Sequence, residues 1–483
     1  MLVDSRNLTL LQINDSHAYI EPHNEYFWNG EELVIREAGG YARIAELVKT
    51  IRDEKKNQVL FLDNGDTIHG TYPAVTSHGE AMVPILNRMG IDGMTLHWEF
   101  AYGPEQLKKI SKMIDYPFLA CNTYNEEDGK LVYPAYEVYE RNDMRIGVIG
   151  IANRIVDVTM PVQFSRGVKI TKGVDELPDH IRTLREKERV DLVVVLSHLG
   201  LPHANYIAEH IDGIDVFLSG HTHNRLYMPF VVNNTIIIQS GYQGSFIGRL
   251  DLSIRDKKIV GFKHDLIEIN ENIPDDPEVR EEVTKVMEPH REMLHEVVGE
   301  TKTPLARHRV MESTMDNFLL QGLINTSDAE LAFSNGWRYG APIPKGNITM
   351  EDLWNIIPVN PPVSVCSITG EELLVMMEEN LEATFSRDPF GQMGGYVKRC
   401  LGLHIYFKIE NPKGRRIQDF FIGKERLDRK KTYQACFVTT QGIPERYGSE
   451  RRDLDIDAIE ALRLFLDEKK SVKANLRNAI VAI

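Results

Sequence analysis

The chain has 483 residues, of which 42% are apolar and 26% are charged. This length exceeds what one hydrophobic core usually supports, so the sequence predicts two domains. The formal net charge of −15 is spread along the chain, which argues against a broad basic surface for duplex nucleic acid. The four cysteines are scattered without the paired spacing of a disulfide framework or a thiolate zinc site.

The N-terminal sequence runs from Met1 into a strand-like segment without the basic start and apolar stretch of a secretory signal. No run of apolar residues approaches the length that a membrane span requires. We therefore expect a cytoplasmic protein with no membrane association.

Short apolar runs alternate with amphipathic stretches from Leu8 to about Leu266, which is typical of a layered α/β domain. The predicted strands are Leu8–Ile13, Val59–Leu62, Met94–Leu96, Arg145–Ile149, Leu192–Leu196, Val216–Leu218 and Thr235–Gln239. The predicted helices include Ala42–Lys55, Gly103–Ile114 and Leu177–Glu188. Polar side chains follow the strands at their carboxyl ends, where open α/β sheets place their ligands.

A charged helical stretch begins at Asp275-Asp276-Pro277, and we interpret residues 271–300 as a connector. The connector separates a first domain, 1–270, from a second domain, 301–483. The predicted elements of the second domain are a helix at Ser313–Leu323, strands at Ala329–Ser334, Val363–Ile368, Leu403–Ile409 and Thr432–Val438, and a closing helix at Ile456–Asp467.

Aspartate and histidine side chains follow several strands of the first domain. They are Asp15, His17, Asp66, His198, His221 and His223. Residues two apart in an extended segment point the same way, so Asp15 and His17 can converge on one ion. Imidazole and carboxylate donors without thiolate suit Mn²⁺, Zn²⁺, Fe or Co²⁺. Two such ions can generate hydroxide from water and stabilise oxygens at phosphorus, so the predicted reaction is phosphate-ester hydrolysis.

Five segments in this order resemble the calcineurin-like metallophosphoesterases, and within them the two-domain bacterial 5'-nucleotidases and 2',3'-cyclic-nucleotide phosphodiesterases. The segments are Leu11-Gln12-Ile13-Asn14-Asp15-Ser16-His17, Gly39-Gly40-Tyr41-Ala42-Arg43, Leu62-Asp63-Asn64-Gly65-Asp66, Ser197-His198 and Gly220-His221-Thr222-His223. The resemblance implies an N-terminal four-layer α/β/β/α sandwich and a C-terminal α+β domain that recognises the substrate.

The resemblance also implies roles for the candidate ligands. One metal ion would be held by Asp15, His17 and His223, the other by His198 and His221, and Asp66 would bridge them. A metal-activated hydroxide would then hydrolyse a small-molecule phosphate ester, most simply a nucleotide, as in a 5'-nucleotidase or a cyclic-nucleotide phosphodiesterase. Two alternatives stay open: a non-catalytic ligand- or metal-binding relative with a degenerate site, and a phosphatase for an ester that is not a nucleotide.

The sequence departs from the family in the stretch Asp92–Gly103, where the family carries Gly-Asn-His-Glu and this chain is one residue shorter. His97 falls at the asparagine position, which ligates the second metal, and Trp98 at the histidine position, which assists at the phosphate. An imidazole can replace an amide as a ligand, so His97 is a candidate ligand and, with Asp66, a candidate catalytic residue. The alternative is a packed or hydrogen-bonded His97. An indole does not titrate, so Trp98 cannot act as a general acid.

The resemblance implies substrate-binding residues in the second domain. Asn335 and Arg338 lie in a shortened version of the family's Asn-Gly-Gly-Gly-Ile-Arg, and Arg338 is either a clamp for phosphate or carboxylate or part of a structural ion pair. Tyr396 and Tyr447 are the nearest candidates for the two aromatic residues that sandwich a base. The alternative for both tyrosines is packing in the core or on the surface.

Overall fold

The computed structural model describes residues 5–483. The chain forms two compact units: one contains the residues up to His23 and Glu37–Pro289, and the other contains Asn24–Arg36 and His290–Ile483. The predicted connector 271–300 is divided between the two units, and the limits of the functional domains stay a prediction. Residues 1–4, part of the N-terminal run from which we predicted the absence of a secretory signal, lie outside the described residues.

The first unit contains two large sheets. The first sheet has five strands, in the order Lys258–Glu268, Phe246–Arg255, Arg6–Ile13, Val59–Asp63 and Gly93–Met94. The second sheet has six strands, in the order Phe230–Val232, Thr235–Ile238, Val216–Ser219, Leu192–Ser197, Met144–Ile151 and Tyr136–Arg141. A buried cluster joins the two, with Leu10 and Leu250 from the first sheet and Val194 and Leu218 from the second. The two sheets therefore pack face to face.

Parallel pairing brings the carboxyl ends of several strands to one edge of each sheet. Arg6–Ile13 pairs in parallel with Val59–Asp63, which pairs in parallel with Gly93–Met94. In the second sheet, Leu192–Ser197 is parallel to Val216–Ser219. The segments that carry the candidate ligands leave the sheets at these ends, as the sequence predicted.

Helices cover the outer faces of the two sheets. Leu177–Glu186 and Leu201–His210 bury apolar side chains against the second sheet, and Tyr41–Lys55 packs against Val59–Asp63 of the first. These layers form the four-layer sandwich that the family resemblance implied. The other helices of the unit are Tyr72–Thr76, Val83–Leu86, Pro104–Ile110, Ile155–Thr159 and Pro277–Met287, with 3₁₀ turns at Glu80–Met82, Trp98–Tyr102 and Val162–Phe164 and a small ladder of Thr123–Asn125 with Val168–Ile170.

The second unit is built around a five-stranded sheet. Its order is Tyr396–Leu401, Leu331–Gly336, Thr432–Val438, Pro362–Thr369 and Ser449–Asp457. Smaller sheets are formed by Glu425–Arg426, Ile417–Ile422, Leu403–Phe407 and Ile480–Ala482, and by Gly346–Thr349, Val297–Thr301 and Ser471–Val472. A hairpin of His23–Trp28 and Leu33–Ala38, which the sequence analysis did not predict, contributes residues 24–36 to this unit.

The helices of the second unit are Arg291–Leu294, Thr314–Asn325, Met350–Ile356, Gly370–Phe385, Thr439–Gly442 and Ala458–Lys469, with 3₁₀ turns at Glu288–His290, at the boundary between the units, and Pro389–Gly391. Gly370–Phe385 begins at a capping box, in which the Thr369 side chain accepts a bond from the backbone N–H of Glu372 and the Glu372 carboxylate accepts one from Thr369. Leu373 and Leu381 of this helix lie in the main buried cluster of the unit. In the described part of the chain, every helix is too short or too polar to span a bilayer.

Candidate metal centre

The candidate ligands lie in tight turns that directly follow the strands. Five of them have left-handed backbone conformations, with φ of 51° at Asp15, 49° at His17, 60° at Asp66, 72° at His221 and 58° at His223. Such values are uncommon in residues other than glycine and cost about 1–3 kcal/mol each. Hydrogen bonds between turns hold them in place: the N–H of Asp15 donates to the carbonyl of Gly65 at 2.9 Å, and that of His17 donates to Asp66 at 2.7 Å.

One cluster of donor atoms comes from three separate turns. Asp15, His17, Asp66 and His223 each offer one ligand atom, and these atoms lie within 4.8 Å of one another. Nε2 of His223 is 3.2 Å from Oδ1 of Asp15, and Nε2 of His17 is 3.7 Å from Oδ2 of Asp66. The cluster brings together the set that the sequence predicted for the first metal ion, with the Asp66 carboxylate beside it.

A second cluster contains Asp66, His97, His198 and His221, again with ligand atoms within 4.8 Å of one another. Nε2 of His198 is 3.3 Å from Oδ2 of Asp66, and Nδ1 of His97 is 2.8 Å from Oδ1 of the same carboxylate. The rings of His97 and His198 are stacked with their centroids 4.6 Å apart. Asp66 is therefore common to both clusters, and His97 is part of the second.

The surroundings of His198 fit a cation. Its Nδ1 is 2.6 Å from the carbonyl oxygen of Asn64, and because a carbonyl only accepts, Nδ1 carries the proton. Nε2 therefore presents a lone pair when the ring is neutral, yet it faces the carboxylates of Asp15 and Asp66 at 3.4 Å and 3.3 Å. This Nε2 is buried and has no hydrogen-bond partner among the described residues. Acceptors that face acceptors in a buried space are stabilised by a positive ion between them.

The surroundings of His17 lead to the same conclusion. Its Nδ1 lies 3.3 Å from the carbonyl oxygen of His69, so Nδ1 is the protonated nitrogen of the neutral ring. Its Nε2 lies 3.3 Å from Nε2 of His223. A second-layer carbonyl that fixes the tautomer of a histidine is common at metal sites, because it aims the other nitrogen at the ion. The described residues thus form two clusters that are able to bind metal ions.

The charges of the two clusters are strongly coupled. Burial favours the neutral acid at Asp66, but His97 and His198 outweigh it and hold the pKa of Asp66 well below its usual range. Burial also opposes the charged form of His198, but Asp66 and Asp15 raise its pKa to about 10. Burial lowers the pKa of His17 to about 4, so this ring is neutral at pH 7, the form that binds metal. The carboxylates of Asp66 and Asp15 therefore favour a positive charge at Nε2 of His198, which either a proton or a metal ion can provide.

Buried polar residues that the sequence analysis did not assign hold the turns in place. Glu99 accepts from the backbone N–H groups of His97 and Thr67, both at 2.7 Å. The amide of Asn64 donates to the carbonyl oxygen of Ser197 at 2.9 Å, which ties two of the turns together. Asn64 stands two residues before Asp66 in the segment that carries the resemblance, and this proximity is the sequence signal that was available.

Trp98 packs against aromatic neighbours. Its ring is stacked on that of His69, with centroids 4.8 Å apart and an interplanar angle of 27°, and it lies edge-on to Phe164 at 5.9 Å. The side chain is largely buried, with 9% exposed. These contacts are those of a packed aromatic side chain.

The candidate substrate residues lie in the second unit. The amide of Asn335 donates to Oε1 of Gln441 at 3.3 Å, and Nη2 of Arg338 donates to the carbonyl oxygen of Gly395 at 2.8 Å. The Arg338 guanidinium lies 5.3 Å from the centroid of the half-buried Tyr396 ring. Asn335, Arg338 and Tyr396 all lie on or beside the paired strands Leu331–Gly336 and Tyr396–Leu401.

Tyr447 is placed differently from Tyr396. It is 7% exposed and belongs to the buried core of the second unit, and its hydroxyl donates to Oε2 of Glu379 at 2.6 Å. It lies just before Ser449–Asp457, at one edge of the main sheet, whereas Tyr396 begins the strand at the other edge. The structure thus favours the core alternative for Tyr447 over a clamp formed with Tyr396, since a buried ring leaves little free face for a base.

Two family models match this chain. The calcineurin-like phosphoesterase model matches residues 8–225, and the model of the 5'-nucleotidase C-terminal domain matches residues 297–440. The first match contains all the candidate metal ligands, from Asp15 to His223. Together the two matches confirm the family that the five sequence segments predicted.

Known proteins resemble the chain over most of its length. The trifunctional nucleotide phosphoesterase protein YfkN of Bacillus subtilis is 24% identical over 88% of this chain, which spans 30% of that protein. Two solved structures from Thermus thermophilus are each 24% identical: the sulfate thiohydrolase SoxB, with a TM-score of 0.91 over 99% of this chain and 96% of that one, and a 5'-nucleotidase precursor, with a TM-score of 0.87 over 99% of both. These structures show the two-domain fold. The chain therefore belongs to the family that joins a calcineurin-like phosphoesterase domain to a 5'-nucleotidase C-terminal domain, a family of metal-dependent hydrolases that act on phosphate esters.

Proposed function

We propose that this chain hydrolyses a nucleotide phosphate ester with the help of two divalent metal ions. The observation that carries the proposal is that the Asp66 carboxylate belongs to two adjoining clusters of donor atoms. A shared carboxylate places two cations side by side, which is the arrangement that stabilises both the attacking and the leaving oxygen of an in-line displacement.

In this proposal Asp15, His17, Asp66 and His223 would hold one ion, and Asp66, His97, His198 and His221 would hold the other. Imidazole and carboxylate donors without thiolate suit Mn²⁺, Zn²⁺, Fe or Co²⁺. When bound, the ions supply Lewis-acid stabilisation of the ester oxygens and lower the pKa of a water for attack at phosphorus.

The chain's own residues orient these groups. The carbonyl oxygens of Asn64 and His69 hold the rings of His198 and His17 so that Nε2 of each faces a donor cluster. Trp98, next to His97, offers an indole N–H that donates a hydrogen bond but does not exchange a proton. The proposed enzyme therefore favours esters whose leaving group departs without full protonation.

The names of similar proteins support a nucleotide as the substrate, since they include a nucleotide phosphoesterase and a 5'-nucleotidase. In the second unit, Asn335, Arg338 and Tyr396 are the proposed contacts to it. A guanidinium next to an aromatic ring provides a charged fork for a phosphate or carboxylate and a flat face for a base.

An assay of the purified protein with and without Mn²⁺ tests the proposal. The substrates are nucleoside 5'-monophosphates, 2',3'-cyclic nucleotides, nucleoside diphosphates and sugar phosphates, and Asp66→Asn serves as the variant that should be inactive and should hold less metal. We expect metal-dependent release of phosphate from at least one nucleotide. Cleavage of sugar phosphates alone would show that the substrate is a phosphate ester other than a nucleotide. No hydrolysis of any of these substrates, or full activity of Asp66→Asn, would reject the proposal.

A second candidate function is hydrolysis of a sulfate group joined to a thiol sulfur, as the name of the sulfate thiohydrolase describes for that protein. The packing of Trp98, which removes a titratable group from the position next to His97, favours it, because a thiolate departs more easily without a proton than an alkoxide does. S-Sulfocysteine is the probe: water adds its oxygen to the terminal sulfur, the S–S bond breaks, and sulfate and cysteine are released. Sulfate release faster than phosphate release from any nucleotide would favour this function.

A further inference from the structure

The loop after Asp66 carries a histidine that the proposed metal centre does not use. His69 is 1% exposed, and its Nδ1 is buried without a hydrogen-bond partner in the part of the chain that the structure describes. Its backbone carbonyl lies 3.3 Å from Nδ1 of the candidate ligand His17. A buried nitrogen without a hydrogen-bond partner is unfavourable, so a partner supplied from outside the chain would stabilise this ring.

The backbone brings His69 unusually close to His17 because the next residue is glycine. Gly70 has a φ of 144°, and a Cβ there would lie 2.5 Å from the carbonyl oxygen of His17. On the other side, the hydroxyl of Tyr102 donates to the carbonyl of Ile68 at 2.9 Å. The loop is therefore fixed immediately before and after His69.

Aromatic contacts fix the ring of His69 without using either of its nitrogens. One face is stacked on Trp98, with centroids 4.8 Å apart, and Tyr102 lies at a tilt with its centroid 5.6 Å away. Trp98 directly follows the candidate ligand His97. The stacked pair thus ties the His69 loop to the residue that follows a candidate ligand, and the stacking leaves Nδ1 of His69 without a partner among the described residues.

The imidazole of His69 carries at least one N–H and therefore donates at least one hydrogen bond. Such a fixed donor in a water-poor site stabilises charge that develops on an oxygen.

We propose that His69 is a further catalytic residue, whose Nδ1–H donates a hydrogen bond to the departing oxygen of the substrate. The proposal rests on the proposed function, since it needs an ester bound at the donor clusters. No proton is transferred: the bond from phosphorus to the leaving oxygen breaks, the electron pair stays on that oxygen, and the N–H stabilises the resulting charge. Trp98 then acts as a positioning residue that holds the imidazole by stacking.

Variants of the full-length, Mn²⁺-loaded protein test this role. His69→Phe keeps an aromatic ring on Trp98 but removes the donor, His69→Asn places an amide N–H where Nδ1 lies, and His69→Gln places one where Nε2 lies. His78→Phe is the control, because the exposed His78 stacks on Tyr102 at 5.7 Å from outside the loop. The measurements are metal content, kcat on a nucleoside monophosphate and on p-nitrophenyl phosphate, and the affinity for inorganic phosphate by calorimetry.

We expect His69→Phe to lower kcat on the nucleotide by about tenfold to a hundredfold and on p-nitrophenyl phosphate by less than about threefold, since nitrophenolate needs little help to depart. We expect His69→Asn to restore most of the loss, His69→Gln to restore little, and the metal content to stay unchanged. Equal losses on both esters together with loss of metal would make His69 a support of the metal ligands and overturn the proposal. Unchanged kinetics, or rescue by glutamine alone, would overturn it too.

The phosphate affinity separates failure of this proposal from failure of the proposed function. If the wild-type protein hydrolyses no phosphate ester, the proposed function is wrong. A His69→Phe variant that binds phosphate about tenfold more weakly would still support a contact from His69 to a substrate oxygen. Equal phosphate affinity of the wild-type protein and His69→Phe would show that His69 makes no such contact.

Discussion

Nδ1 of His97 lies 2.8 Å from Oδ1 of Asp66, while Nε2 of His97 is buried without a hydrogen-bond partner among the described residues. A histidine that only packed would leave this nitrogen unsatisfied at a cost of about 1–3 kcal/mol, so a metal ion is its natural partner. We therefore predict that His97→Ala loses about one metal ion per chain, because the second cluster then keeps only Asp66, His198 and His221. Elemental analysis of the purified variant measures this number.

His97→Asn and His78→Ala are the matched comparisons. Asparagine offers an amide oxygen at the position of a ring nitrogen, so we expect the first variant to keep more metal than His97→Ala. His78 is exposed and lies outside both clusters, so we expect its variant to bind as much metal as the wild-type protein. Equal metal content in all three variants would show that His97 is not a ligand.

Removal of metal should destabilise the first unit more than the second. The two clusters bury several carboxylates and imidazoles, and an ion that binds only the folded state stabilises it by about 2.7 kcal/mol at a hundred times its Kd. We expect EDTA to lower the melting temperature of the unit that contains Asp66 by several degrees and added Mn²⁺ to restore it. Differential scanning calorimetry of the wild-type protein and of Asp66→Asn measures the effect. An identical shift in Asp66→Asn would place the stabilising ion elsewhere.

The sequence predicted much of the first unit because each candidate ligand stands directly after a short apolar strand. Once the strands pair in parallel, their carboxyl ends meet, and Asp15, Asp66 and His221 come together without any further information. The resemblance supplied the rest of the ligand set, and His97 could be placed because its flanking residues kept the register.

Contacts between residues that are distant along the chain could not be predicted from the sequence. The stacking of His69 on Trp98 joins residues far apart along the chain, and no periodicity reports it. Tyr447 follows a turn, where a tyrosine has the same local pattern whether its ring is buried or exposed, so only packing against the core decided its position. The hairpin of residues 24–36 belongs to the second unit although the chain around it belongs to the first, and local patterns do not reveal such an excursion.

We expect a buried triad of charged side chains to stabilise the second unit. Oδ1 of Asp316 accepts a hydrogen bond from Nε of Arg307 at 3.0 Å, its Oδ2 forms an ion pair with Arg399 at 2.9 Å from Nε, and all three side chains are almost completely buried. Asp316→Ala leaves two buried guanidinium groups without their carboxylate, so we expect a loss of about 3–5 kcal/mol in the free energy of unfolding of this unit. Urea denaturation measures the loss.

The control for the triad is an exposed ion pair in the same unit. Asp419 and Arg426 are 2.6 Å apart, and the arginine side chain is 73% exposed. Surface pairs of this kind contribute about 0–1 kcal/mol, so Asp419→Ala should change the urea midpoint little. If Asp316→Ala and Asp419→Ala had the same small effect, the two buried arginines would have to be stabilised by their backbone acceptors alone.

We expect the buried Lys398 to make the stability of the second unit depend on pH. It is 4% exposed, its ammonium group donates to the carbonyl of Gln441, and burial lowers its pKa from 10.5 to about 7. Between pH 7 and pH 10.5 the unfolded chain therefore binds a proton at Lys398 that the folded chain does not, and the free energy of unfolding rises with pH by up to about 1.4 kcal/mol per unit. Below pH 7 both states are protonated, and the full cost of burying the charge remains.

Lys398→Met removes this titration, so the stability difference between the wild-type protein and the variant should shift in favour of the wild type as the pH rises from 7 to 9. Urea midpoints of the second unit at the two pH values, converted to free energies of unfolding, measure the shift. Lys430→Met, at an exposed position in the same unit, is the control and should show no such shift. A difference between wild type and Lys398→Met that stays constant from pH 7 to 9 would mean that Lys398 keeps its charge in the folded protein. The ammonium would then be stabilised by the Gln441 carbonyl more strongly than its burial disfavours it.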